Sequence, residues 1–121
     1  NKYFFFDEKG KIIEEYFINN KSKNTPIFFT GQSSNLEAKL IIDIIDSLNF
    51  QKKFKIKNIE FINIRRWDII LHNDIKLMLS ENYPKKSLEN FLKIANNLSE
   101  TNFNNIRLFD LRNINKTLVI E

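Results

Sequence analysis

A chain of 121 residues suffices for one domain with a single core, and 42% hydrophobic residues, twelve phenylalanines and only two glycines and two prolines describe a globular fold. With no cysteine, the chain can hold no disulfide, thiolate metal site or cysteine nucleophile. Nineteen Lys and Arg against fifteen Asp and Glu leave a net charge of +4, but the lysines are dispersed among carboxylates; the densest cluster, Lys52, Lys53, Lys55 and Lys57, reads first as solvated surface and only second as a phosphate-tracking groove.

Along the chain, Tyr3 to Phe6 and "KIIEEYF" are apolar runs separated by "DEKG", which predicts a hairpin with Gly10 at positive φ. Residues 19 to 26 carry no periodicity and read as a loop. Ile27 to Phe29 form a short strand that Gly31 ends. Leu36, Leu40, Ile41, Ile44, Ile45 and Leu48 then recur at helical spacing, behind a capping box of Ser34 and Glu37. Phe54 to Arg66 is Ile-rich and β-branched, and a bulge near Phe61 would reconcile its two parities. Trp67, Ile69 and Leu71 alternate with Asp68, Ile70 and His72, and the alternation resumes at Ile75 beyond a predicted two-residue turn, Asn73-Asp74. Leu88, Phe91, Leu92, Ala95 and Leu98 make a second amphipathic stripe behind a Ser87 cap. "IRLFDLR" and "KTLVI" close the chain as two strands joined by "NIN". The expected fold is a single α+β domain over residues 1–121, a mixed, largely antiparallel sheet of about seven strands covered by two amphipathic helices.

Catalytic chemistry is sparse. His72 is the single histidine, beside a turn, without Ser-His-Asp spacing, so an exposed strand-end role is expected in place of a metal or triad role. The carboxylate pairs Asp7-Glu8, Glu14-Glu15 and Asp43 with Asp46 fall on expected turns and helix surfaces, which points to solvent and not to a desolvated cleft. Gly10 and Gly31 are too far apart for a phosphate loop. No enzyme, cofactor or metal is expected. The apolar runs are too short to span a bilayer, and no signal peptide is visible. The chain opens on a strand without an initiator Met and reads as a fragment.

Three blocks in order, "RRWDIILHNDIKLMLS", "SLENFLKIANNLS" and "NIRLFDLRNINKTLVI", resemble the C-terminal half of the FtsQ/DivIB cell-division proteins of bacteria. The matching positions are Arg65, Arg66 and Trp67, then Asn73, Asp74, Ile75, Lys76 and Leu77, then Ile106, Phe109, Asp110, Leu111 and Arg112. "FFFDEKGKII" and "PIFFTG" fit the opening strands. Phe109 stands where a smaller aliphatic is usual, and Ser80 where proline or glycine is common. The resemblance implies a non-catalytic divisome scaffold anchored in the inner membrane, with a transmembrane helix and a POTRA domain preceding this periplasmic part at the septum. It implies binding to FtsB and FtsL and regulation of septal peptidoglycan synthesis, with the isolated domain monomeric.

In that family the partner adds a strand to the last strand of the sheet, which by position is Lys116, Thr117, Leu118, Val119, Ile120 and Glu121. An open edge offers unpaired amides and carbonyls as a template. Arg112 matches the family arginine that meets an acidic residue of FtsB, and Asn113 and Asn115 fall in a turn where members carry further contacts. From the residues alone, "TLVIE" also reads as an ordinary core strand, and Arg112 as a partner of Asp110 or Glu121. Arg65 and Arg66 read as a structural pair on a sheet flank, and Trp67 as core. A basic nucleic-acid-binding domain using Lys52 to Lys57 is the alternative function, separable by its steep salt dependence.

Overall fold

The computed structural model describes residues 2–6, 12–17, 27–31 and 35–121. The turn at Gly10, the loop 19–26 and the Ser34 cap expected from the sequence lie outside these residues. Eight strands form one mixed sheet, in the order β2-β1-β3-β4-β5-β6-β7-β8. They are β1 (Lys2–Phe6), β2 (Ile12–Phe17), β3 (Ile27–Thr30), β4 (Ile56–Ile62), β5 (Arg66–Leu71), β6 (Lys76–Leu79), β7 (Leu108–Leu111) and β8 (Leu118–Ile120). Three pairings are parallel, β1 with β3, β3 with β4 and β6 with β7; the others are antiparallel. The α+β class with a mixed sheet is as expected, with one strand more than the expected seven or so.

Helices α1 (Asn35–Ser47) and α2 (Pro84–Asn97) supply the crossovers of two parallel pairs, β3–β4 and β6–β7, whereas β1 and β3 are connected through β2; a short helix α3 (Glu100–Asn104) was not expected. Both long helices contribute to the same core as one face of the sheet. The register lines up Phe29, Ile59, Ile69, Leu77 and Phe109 across five strands. All five are at most 1% exposed. Burying apolar side chains is the principal gain in folding, about 1.5–3 kcal/mol for each large one, so this row is a main source of cohesion. Trp67 is buried beside it, 4.5 Å from the Phe61 ring and edge-on to Phe29 at 6.0 Å.

Helix α1 turns much of the expected strip inward, with Ile44 and Leu48 packed against the core beside Ile41 and Ile45, but adds Ala38 and Ile42 and leaves out Leu36 and Leu40. Ala38, Ile41, Ile42 and Ile45 are buried, at i, i+3, i+4 and i+7, whereas Leu36 and Leu40 are 68% and 56% exposed. The sequence offered an apolar stripe wider than one docking face, and the packing selected part of it. Ser87 does not cap α2. Tyr83 occupies the N-cap with Pro84 opening the helix, a position where the missing N–H of proline costs nothing. The buried Ser87 hydroxyl instead accepts from Ser80 N–H at 2.9 Å and donates to the Leu111 carbonyl at 2.7 Å.

Turns account for the remaining differences. The β4–β5 register shifts between Ile56 and Asn58, so the irregularity sits at Lys57 and not near Phe61. That leaves Ile59 and Phe61 on one parity toward the core, and β4 ends at Ile62 before the other parity matters. Four residues, 72–75, link β5 to β6: Leu71 N–H donates to Ile75 O at 2.9 Å across the turn, and among them Asp74 alone takes positive φ, at 67°. Between β4 and β5, Asn63 and Ile64 both have positive φ, 53° and 56°, with Arg65 N–H returning to Ile62 O at 3.0 Å. This is the twist that two-residue hairpins favour, but a β-branched residue is strained there. Replacing Ile64 by glycine creates Asn-Gly, relieves about 1–2 kcal/mol of left-handed strain and gives back about 0.5–1 kcal/mol in chain entropy. Ile64→Gly should therefore raise stability by about 0.5–1 kcal/mol, read as a higher urea midpoint at unchanged slope.

Candidate docking edge

Strand β8 ends the sheet order and pairs with β7 alone, with Leu108 opposite Ile120, Phe109 opposite Val119 and Asp110 opposite Leu118. The Ile120 carbonyl accepts from Arg107 N–H at 2.8 Å, so Ile120 directs its backbone groups toward β7. On the far side of β7, Lys76 N–H bonds Arg107 O at 3.0 Å, which fixes the alternation of that strand as well. Successive residues of a strand point their backbone groups to opposite sides. The N–H and C=O of Val119 consequently face the open rim, and no described strand lies beyond them.

The side chains of β8 are unusually bare for an apolar strand. Leu118 is 57%, Val119 37% and Ile120 41% exposed. Val119 continues the row Phe29–Ile59–Ile69–Leu77–Phe109, buried until it reaches the rim. A strand added beyond β8 would extend that row and cover both faces of the rim. Long, uncovered apolar edges are otherwise a liability that proteins avoid.

Both ends of β8 are tied down. Arg107 Nη2 donates to Glu121 O at 2.9 Å at the far end. At the near end Asn90 of α2 donates through Nδ2 to Ile114 O at 2.9 Å, while Ser87 holds the last carbonyl of β7. Asn113 Oδ1 accepts from Asn115 N–H at 3.0 Å, and Lys116 N–H reaches Asn113 O at 3.2 Å, so Asn113 holds its own turn. Beneath the hairpin lies a phenylalanine cluster in which Phe91 meets Phe109 edge-on at 4.9 Å and Phe54 at 5.0 Å. The rim is therefore a supported edge.

Of the residues singled out in the sequence, Arg112, Asn113, Asn115 and Lys116 are exposed in the turn, Thr117 is half-buried, and Leu118 to Glu121 run exposed along the rim. Sequence reading separated Arg65 and Arg66 from Arg112. The fold joins them: β5, β6 and β7 bring their ends together, and all three arginines line a shallow cleft of about 240 Å³ with Ser80 and Glu81. Each is ion-paired, Arg65 with Glu81 at 3.5 Å, Arg66 with Asp68 at 3.1 Å and Arg112 with Asp110 at 2.7 Å. Asp68 alternates along β5 with the core residues Trp67 and Ile69. It is fully buried on the sheet face away from the helices, between Arg66 and Lys76, the latter 3.5 Å from Oδ2. A buried carboxylate requires such partners, and the flanking Arg and Lys at alternate and cross-strand positions were its signal.

The described residues hold no cluster of three or more His, Cys, Asp or Glu able to bind a metal, and His72 is exposed. The family model for the Cell division protein FtsQ/DivIB, C-terminal, matches residues 1–112. The chain belongs to the FtsQ/DivIB family. No curated protein matches it. FtsQ/DivIB proteins are non-enzymatic, membrane-anchored scaffolds of bacterial cell division, and this chain has that division role. No helix among the described residues is long and apolar enough to cross a membrane. The match ends at Arg112, so the FtsQ/DivIB assignment rests on strands β1 to β7, and β8 must be judged by its own geometry.

Proposed function

We propose that this domain is a non-catalytic divisome scaffold, lying in the periplasm at the septum, that captures a segment of FtsB, accompanied by FtsL, as a strand added to β8. In this way it helps regulate septal cell-wall synthesis. The backbone of Val119 supplies hydrogen bonds, the bare side chains of Leu118, Val119 and Ile120 supply the apolar contact, and Lys116, Thr117 and Glu121 flank them. Arg112 holds an acidic residue of the incoming segment, a task for which a planar guanidinium suits better than an ammonium. Asn113 and Asn115 contribute the turn beside it. The isolated domain acts as a monomer.

One observation carries this reading: the row of buried side chains runs off the sheet at an exposed, apolar and outward-facing Val119. Arg112→Glu should weaken binding of an FtsB-derived peptide tenfold or more, about 1.4 kcal/mol, in a calorimetric titration. Added salt should weaken the wild-type complex only slightly, because backbone pairing supplies much of the affinity; a steep salt slope would favour a nucleic-acid partner. An Arg112→Glu variant that binds as tightly as wild type would remove the arginine from the interface.

A further inference from the structure

Arg112 has two edges able to grip a carboxylate, and one of them is already occupied. Its Nε donates to Asp110 Oδ1 at 2.9 Å and its Nη2 to Asp110 Oδ2 at 2.7 Å, a parallel pair of bonds. The backbone N–H of Arg112 also reaches Asp110 Oδ1, at 3.2 Å. One carboxylate thus fixes both the chain as it leaves β7 and the plane of the guanidinium. Of the five N–H donors of a guanidinium, this side-on grip uses two. The Nη1 pair and the second Nη2 hydrogen remain, and together they form an end-on edge that can hold another carboxylate by two parallel bonds.

Exposure orders the pair. The Asp110 side chain is 17% exposed and that of Arg112 50%, so the acid is the inner member and the arginine the outer. Asp110 stands opposite Leu118, the first residue of β8. The hydrogen bond from Arg112 is the main reason the Asp110 carboxyl is held below its ordinary range, with burial opposing it. A lowered value means that the pairing is complete at neutral pH and is lost only as pH falls through that lowered value.

We propose that Asp110 is the positioning residue of the docking edge: it locks Arg112 at the end of β7, the strand that pairs with β8, so that the free end of the guanidinium is presented to a carboxylate on the incoming strand. This rests on the reading of β8 as a docking edge. Because the side chain is already ordered, binding forfeits less rotamer freedom than it would for a free arginine. The inner acid thereby makes the edge selective for a strand with one acid at that register over the same strand with an amide.

Two synthetic strand peptides test this, identical except that the residue facing Arg112 is glutamate in one and glutamine in the other. Wild-type protein should prefer the glutamate peptide. Asp110→Asn, close in shape and uncharged, should weaken the glutamate peptide by about five- to tenfold and leave the glutamine peptide within about twofold. In an Arg112→Lys background, where there is no fork to align, Asp110→Asn should cause no further loss of that preference. Equal weakening of both peptides would reduce Asp110 to a structural residue and overturn the proposal, as would unchanged preference. Tighter binding of the glutamate peptide by Asp110→Asn would make Asp110 a competitor and overturn it too. If wild-type protein bound neither peptide, the docking reading itself would fail and the positioning role with it.

Discussion

Gly31→Ala should destabilise the domain by at least about 3 kcal/mol, a large share of the roughly 5–15 kcal/mol that holds a domain of this kind together. Gly31 follows β3 with φ of +95°, a conformation that side-chain-bearing residues rarely adopt. A methyl group there would collide with the Phe61 carbonyl oxygen and stand 3.2 Å from the Phe61 carbonyl carbon and Cβ. The obstacle cannot swing aside, because it is backbone inside β4, which is paired on both sides, with β3 and β5. Backbone strain of about 1–3 kcal/mol combines with the displacement of a central strand. Equilibrium denaturation measures the loss, and a cost below about 1 kcal/mol would mean that the β3–β4 contact is not as tight as it stands here.

Period-two alternation located β5 and β6 well, because one face of each strand is buried by helices and a one-residue slip would invert it. The closing strand pair was legible for a similar reason, since Phe109 and Leu111 go inward and Asp110 does not. Helix existence was equally plain, but α1 carries more apolar residues than its buried strip uses, and only docking decides which remain outside. The turn at Ile64 left no trace in composition, because its strain is overruled by the pairing of β4 with β5. Ser87 looks like a cap by residue type; its hydroxyl finds better use inside, where two backbone groups would otherwise be unpaired. The arginine cleft was hidden for a topological reason: β6 and β7 are parallel and separated by α2 and α3, so Arg66 and Arg112 are remote in sequence and adjacent at the strand ends. What the sequence could show of the docking edge was the apolar, β-branched character of "TLVIE"; that it ends the sheet is a property of strand order.

The second large effect is expected at the rim itself. Proline at position 119 removes the one β8 amide proton that faces outward and whose flanking residues are turned toward β7. It should leave folding nearly intact, since all three β8 residues are exposed and an edge strand accepts proline where its N–H points to solvent. For an added strand, the loss is severe: a partner carbonyl is left without its donor in a desolvated contact, and the ring stands where the partner backbone must approach. A missing partner for a buried acceptor costs about 1–3 kcal/mol, and the ring adds to it. Val119→Ala keeps the amide and sacrifices only part of a side chain that is already partly exposed.

The central claim is that β8 offers its backbone to another chain, and titration of an FtsB-derived peptide into wild-type, Val119→Ala and Val119→Pro proteins tests it most directly. Affinity should fall about hundredfold, about 2.7 kcal/mol, in Val119→Pro, while Val119→Ala stays within about threefold of wild type and all three proteins melt cooperatively. A folded Val119→Pro protein that binds the peptide as tightly as wild type would contradict strand addition at this edge.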